Sequence, residues 1–377
     1  MEQYLQKDVE ALEKVVGAKW PNIRKAREFT SVGKKVLEDT LGLVSSALQV
    51  TLPSDDISIV VFGSLARREF TSGSDIDWTL LIDGEANPQH LDIALRFKDE
   101  LEKKKIEDKE VKGPGVEATF GGLAFSHDII HNIGGGDDTN KNTTQRILLL
   151  LESASIGHRH GDNSAHERVM KGVLKRYIVE DRAAMTGDIK VPRFLLNDIV
   201  RYWRTMAVDF GYKRRQRQGE GAALRTVKLK LSRKMIYVSG LLACFACEMD
   251  KTLAKEVASP GSVEGQDALV DYLFRILQQP PLDNLASFVL SHEEGRYQAL
   301  YASAKMVIDN YELFLKLLNN TKKRKHLEKL LPHETESDTV YQEAKEISDR
   351  FQDGLDGIFF AENGTELFKL IKKHGVF

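Results

Sequence analysis

The stretch VVFGSLARREFTSGSDIDWTLLID, residues 60–83, decides how this chain of 377 residues is read. It completes a β-branched apolar run, Ile57-Ser58-Ile59-Val60-Val61-Phe62, that predicts a buried strand ending in a Gly63-Ser64 turn. A helix expected to begin at that turn points unpaired backbone N–H groups and a positive dipole end at an anion such as a triphosphate. After the polar loop EFTSGS a second strand is expected from Ile76 to Ile82, with Asp75 and Asp77 at its start. Side chains at i and i+2 of a strand share one face, so both carboxylates point the same way. Two like charges side by side repel unless a cation lies between them. Hard divalent ions such as Mg²⁺ accept a couple of carboxylates plus substrate phosphates, and two such ions suit in-line displacement at phosphorus. Gly-Ser alone is an ordinary turn and Asp-Ile-Asp alone an exposed start of a strand. The ordered set of strand, Gly63-Ser64, Ala66-Arg67, Ser74-Asp75-x-Asp77 and a second apolar strand reads as a phosphoryl-transfer site.

On the amino-terminal side, apolar residues recur at helical spacing up to about Val50, with Trp20-Pro21 as a break between two helices. On the carboxyl-terminal side, LDIALRFKDELEKKK predicts an amphipathic helix between Gln89 and Lys105, followed by a Gly-rich segment of uncertain register. From about Thr143 the pattern is helical almost throughout. The expected class is α+β: a small mixed-sheet core at residues 51–162, preceded by helices at 1–50 and followed by a large helical domain at 163–377. A chain of this length exceeds the roughly 250–300 residues at which one core stops growing.

Apolar residues make up 42% of the chain and charged residues 29%, with a formal net charge of −2. That balance argues against a chain built mainly to coat nucleic acid, while leaving room for a local basic patch. No apolar run approaches the roughly 20 residues needed to span a bilayer, and MEQYLQKDVEALEKVV lacks an apolar signal core. A soluble, cytoplasmic protein with no membrane partner is expected. Cys244 and Cys247 lie in an apolar helical stretch without a second ligand pair, so they read as buried thiols rather than a zinc site. His127-x-x-x-His131 and His158-Arg-His160 have metal-compatible spacing but no completing carboxylate motif, and read as loop or cap residues. The run GGGDDTNKN, residues 134–142, is a loop leading into a helix capped by Asn142 or Thr143. Between Lys213 and Lys234 lie nine bases and one acid, read either as a solvated face or as an anion-binding surface. Arg201 and Arg204 are three apart on one helical face, beside Tyr202 and Trp203.

The residues Gly63-Ser64-Leu65-Ala66-Arg67-Arg68-Glu69, followed by Ser74-Asp75-Ile76-Asp77, resemble the polymerase-β-like nucleotidyltransferase superfamily. Its signature is a Gly-Ser turn followed by Asp-x-Asp. Within it the stretch looks most like the branch of PII-protein uridylyltransferase and glutamine synthetase adenylyltransferase. Gly121-Gly122-Leu123 and the segment from Arg146 through Glu152 to Gly161-Asp162 add to the likeness, which covers about residues 55–165. It implies an enzyme that transfers a nucleoside monophosphate from an NTP to an acceptor hydroxyl on a protein or RNA end, releasing pyrophosphate. Asp75, Asp77 and a third carboxylate would then be catalytic and hold Mg²⁺ (or Mn²⁺). Glu117 is the favoured third carboxylate, with Glu110 and Asp128 as the other candidates. Gly63, Ser64, Arg67 and Ser74 would meet the nucleotide, and Lys228, Lys230, Arg233 and Lys234 would clamp its triphosphate. A synthase of a nucleotide second messenger and a weakly catalytic, nucleotide-binding regulatory or antitoxin-type module are the competing readings.

Overall fold

Six consecutive apolar or small residues give β1 (Ile57–Phe62), and all six are buried, as suits a strand covered on both faces. The structure, a computed structural model, describes residues 8–106, 109–111, 122–158, 161–181, 190–251, 253, 257, 261–361 and 365–374. In chain order α1 (Val9–Val15) and α2 (Pro21–Leu48) precede β1, with Pro21 in the first turn of α2, where its missing N–H costs nothing. After β1 come the single turn α3 (Gly63–Ala66), β2 (Trp78–Ile82), α4 (Gln89–Glu102), β3 (Lys105–Ile106), β4 (Lys109–Glu110) and β5 (Leu123–Phe125). Then follow α5 (Ser126–His131), α6 (Asn140–Leu151), β6 (Ser153–Ile156) and α7 (Ala165–Glu180). The remainder is helical: α8 (Arg193–Gln216), α9 (Ala222–Lys228), a π-helical turn (Leu229–Arg233), α10 (Lys234–Met249), α11 (Val263–Leu277), α12 (Pro281–Leu290), α13 (Gln298–Asn319), α14 (Thr321–Lys329), α15 (Thr339–Phe359) and α16 (Leu367–His374).

The chain forms two compact units, residues 25–177 and residues 1–24 with 178–377. The first holds a four-stranded mixed sheet in the order β5-β2-β1-β6. β1 runs antiparallel to β2, with Val61 opposite Trp78, and antiparallel to β6, with Phe62 opposite Ser153; β5 is parallel to β2. Leu37, Leu41 and Val44 of α2 share one core with Ile59 and Val61 of β1 and with Ile93 and Phe97 of α4. Trp78 meets Phe97 edge-on at 4.8 Å. Toward its other neighbour, Ser58 accepts a hydrogen bond from the His166 amide of α7 at 3.2 Å. The boundaries expected at residues 50 and 162 do not coincide with these units. The apolar stripe of α2 completes the sheet's core, and the start of α7 is tied to β1, so both segments group with the sheet.

β2 begins at Trp78 rather than Ile76. Phe62 still donates its amide to the Asp77 carbonyl at 2.9 Å, but β1 turns away at Gly63, and the ladder has no further partner for Ile76. α6 starts at Asn140 and is capped by Thr139, whose hydroxyl accepts from the Asn142 amide at 3.2 Å. The glycine loop before it is pinned: Asp138 accepts from the Gly134 amide and takes both Nη atoms of fully buried Arg146, whose Nε donates to Tyr177. Cys244 and Cys247 are buried thiols on α10, and burial pushes both well above the usual thiol range. No helix among the described residues is long and apolar enough to cross a membrane.

His166 is buried beneath β6, 2.6 Å from Ser153 Oγ. Ser153 gives its proton to the Leu149 carbonyl, so His166 Nε2–H is the donor to Ser153 and the pair is structural, not a nucleophile and base. Burial, with His158 nearby, lowers its pKa to about 4. The folded state thus favours neutral imidazole, and its contribution is complete above the unfolded value near 6.5 and lost as pH falls from there toward about 4. The expected loss is at most about 3 kcal/mol, read as a fall in Tm across that window that His166→Gln flattens.

Candidate nucleotidyltransferase site

The central pair of strands delivers the site. β1 ends in Gly63, whose φ of +70° lies in the left-handed region where a side chain is strained. A Cβ built on Gly63 would lie 3.4 Å from Asp77 Oδ2, so the turn and the carboxylate approach each other backbone to side chain. α3 then runs for one turn only, and Ser64 accepts the Glu69 amide at its carbonyl, which closes the turn. α2 presses on this turn: a Cβ on Gly33 would stand 2.9 Å from Leu65 Cδ1. Thr30 accepts the Phe70 amide, and Phe29 stacks on Phe70 at 5.6 Å.

Asp75 and Asp77 are exposed on either side of buried Ile76, so the alternation of an extended chain turns both carboxylates away from the core. Ser74 staples the loop that presents them. Its hydroxyl accepts the Thr71 amide at 3.2 Å and pairs with the Thr71 hydroxyl at 3.0 Å, while its own amide donates to the Thr71 carbonyl.

Residues 45–134 match the family model of the nucleotidyltransferase domain. This agrees with the superfamily indicated by the Gly-Ser turn and the Asp-x-Asp pair, and singles out no branch within it. No curated protein and no solved structure gives a significant match to the chain. The sheet-bearing unit extends past the matched segment, since β6 pairs with β1 and α7 is tied to it.

Two hard-oxygen donors beside a turn whose left-handed backbone favours glycine suit a divalent cation, which carboxylate and phosphate oxygens would hold. Among the described residues no cluster of three His, Cys, Asp or Glu side chains is assembled. Glu117 lies outside the described residues. Of the other candidates, Glu110 lines a small cavity shared with Ser72, Ser74 and Ile76, next to Asp75. Asp128 is exposed on α5, 3.7 Å from His127. His127 and His131 are both exposed on that helix, their ring centres 4.9 Å apart and their planes tilted by 44°.

Arg67 requires a correction to the expected phosphate contact. It is 8% exposed, its Nε binds Glu69 at 2.8 Å, and its Nη1 pairs with Glu152 at the edge of β6. In the sheet-bearing unit Arg67 therefore ties the turn to the sheet. Sequence reading missed both partners, and Glu152 is too far along the chain for any local signal. It also missed Lys34 of α2, which burial and neighbouring Arg68 hold below the usual lysine range, with Glu38 opposing. Arg68 itself is exposed, with a left-handed φ of +59°.

Lys228, Lys230, Arg233 and Lys234 belong to the other unit, at the end of α9, on the π-helical turn and at the start of α10. There Lys230 lies 3.7 Å from Asp349 and Lys234 bonds Gln352. Burial, then Lys230, lowers the Lys234 pKa.

Replacing Gly63 by Ala should cost about 1–2 kcal/mol from the left-handed backbone alone and push the Asp77 carboxylate aside. A drop in kcat larger than the shift in Tm accounts for is the expected readout. An Ala variant with unchanged Tm and turnover would contradict the turn geometry.

Proposed function

We propose that this protein is a metal-dependent nucleotidyltransferase that moves an NMP from an NTP to an acceptor hydroxyl. The observation that carries this reading is the approach of Asp77 Oδ2 to the left-handed Gly63 turn, with Asp75 beside it. Asp75 and Asp77 would hold Mg²⁺ or Mn²⁺, joined by Glu117 or Glu110. The ion, when bound, supplies charge neutralisation at the phosphates. Gly63 carries no side chain that would crowd a phosphate beside Asp77, and the Ser64 hydroxyl would donate to it. Ser74 holds the loop that aims both carboxylates. Lys228, Lys230, Arg233 and Lys234 are candidates for further phosphate contacts. In the reaction the acceptor oxygen bonds to the α-phosphorus as the bond to the β-phosphate oxygen breaks. Pyrophosphate leaves with that electron pair, and the hydroxyl proton passes to solvent.

The test incubates the pure protein with each α-labelled NTP and Mg²⁺ or Mn²⁺. Label retained on a macromolecule, with pyrophosphate release, is the expected result. A new small labelled product would make the enzyme a second-messenger synthase, and nucleotide binding with no product would make it a regulatory module.

A further inference from the structure

In the helical unit α13 and α15 run antiparallel. A Cβ on Gly354 would stand 3.0 Å from the Ser303 carbonyl oxygen, so the two backbones meet there, and further along residues 310–317 face residues 343–350. Between those two stretches lies a cavity of about 250 Å³, with Lys323 of α14 bonded to Glu343 on its wall. A volume of this size falls just below the roughly 300–1,000 Å³ of drug-sized ligand pockets and suits a smaller molecule. Its floor is aliphatic: Leu317 and Ile347 are buried, and Leu313 beside them is 41% exposed.

Lys316 of α13, and Glu346 and Arg350 of α15, stand exposed at the rim, and none of them has an ion pair or side-chain hydrogen bond among the described residues. Glu346 and Arg350 lie one turn apart, in the order and at the spacing at which ion pairs close on a helix surface. Lys305–Asp309 on α13 and Arg324–Glu328 on α14 do close at that spacing, at 2.5 and 3.2 Å. Glu346 and Arg350 instead stay open above the aliphatic floor, with Cβ atoms about 6 Å apart as helix geometry sets them. Since Glu343 already holds Lys323, two positive groups and one negative group are left for a ligand. A phosphate or a nucleotide would set two or more negative charges against Glu346. A simple carboxylic acid leaves Glu346 unanswered, and an amine leaves Arg350 and Lys316. An α-amino acid answers all three, and its apolar side chain covers the floor.

We propose that the cavity between α13 and α15 binds a free α-amino acid with an apolar side chain, its carboxylate held by Arg350 and Lys316 and its ammonium by Glu346. The site lies wholly within the helical unit and does not depend on the nucleotidyl-transfer reading.

The test is calorimetric titration of the full-length protein with L-leucine, L-methionine and L-phenylalanine. At least one should bind saturably with a Kd below about 10 mM. For the tightest of them, the matching acid without its amino group and the matching amine without its carboxylate should each bind about tenfold more weakly, the loss expected of a charge-assisted contact. Arg350→Gln and Glu346→Gln should each weaken binding about tenfold as well, with unchanged circular dichroism because both side chains are exposed. Lys325→Gln, exposed on α14 and outside the cavity, should bind like the parent. No saturable binding by any of the three amino acids up to about 10 mM overturns the proposal. So does binding of the deaminated acid as tight as that of its amino acid, which would make the cavity a simple anion site. Affinity that Arg350→Gln and Glu346→Gln both leave at the parent's value would place the ligand elsewhere and overturn it too.

Discussion

Asp77→Asn should abolish the proposed nucleotidyl transfer, with kcat falling about a thousandfold or more while the fold persists. The side chain keeps its volume and loses its charge, so the local field at the Gly63 turn loses one of the two negative charges that Asp75 and Asp77 supply. A cation site built on two carboxylates depends on both, and a thousandfold corresponds to about 4 kcal/mol of transition-state stabilisation, within what bound metal provides. Asp77 is exposed, so Tm should move little, which separates chemistry from folding. Asp75→Asn should behave alike, and a chelator should silence the parent protein reversibly. Turnover within tenfold of the parent in Asp77→Asn would remove the carboxylate pair from the mechanism, wherever the third carboxylate lies.

The same pair shows what a sequence reveals and what it withholds. Residue type and spacing place Asp75 and Asp77 on one face because an extended chain alternates, and no tertiary contact is needed to know it. β1 was equally legible, being β-branched and apolar at every position but Ser58 between polar segments. Arg67 was not. Its neighbours suggested a phosphate contact, but its environment comes from Glu152, which only the pairing of β6 with β1 brings near. The grouping of α2 with the sheet was hidden for the same reason: a helical apolar stripe says that something is buried, not against what. On α8 the failure ran the other way. The composition was visible, but which side of the helix the bases occupy emerges only when the helix register is imposed.

Arg67→Met should destabilise the sheet-bearing unit by about 3–5 kcal/mol, because it strands two buried carboxylates, Glu69 and Glu152, without their common cation. For a unit of this size that is a fall in Tm of about 10 °C. Adding Glu69→Gln and Glu152→Gln should recover most of the loss, since the penalty is uncompensated buried charge rather than a missing contact. A Tm within about 1 °C of the parent in the single variant would refute the buried ion cluster. The kinetics then separate the two roles that Arg67 has been given. If it only ties the turn to β6, the triple variant, once folded, binds NTP with a KM close to the parent. If its guanidinium instead grips phosphate, KM rises by one to two orders of magnitude, as loss of a charge-assisted contact demands. The geometry favours the first result, since Nε and Nη1 of the guanidinium are both held by carboxylates beneath the surface.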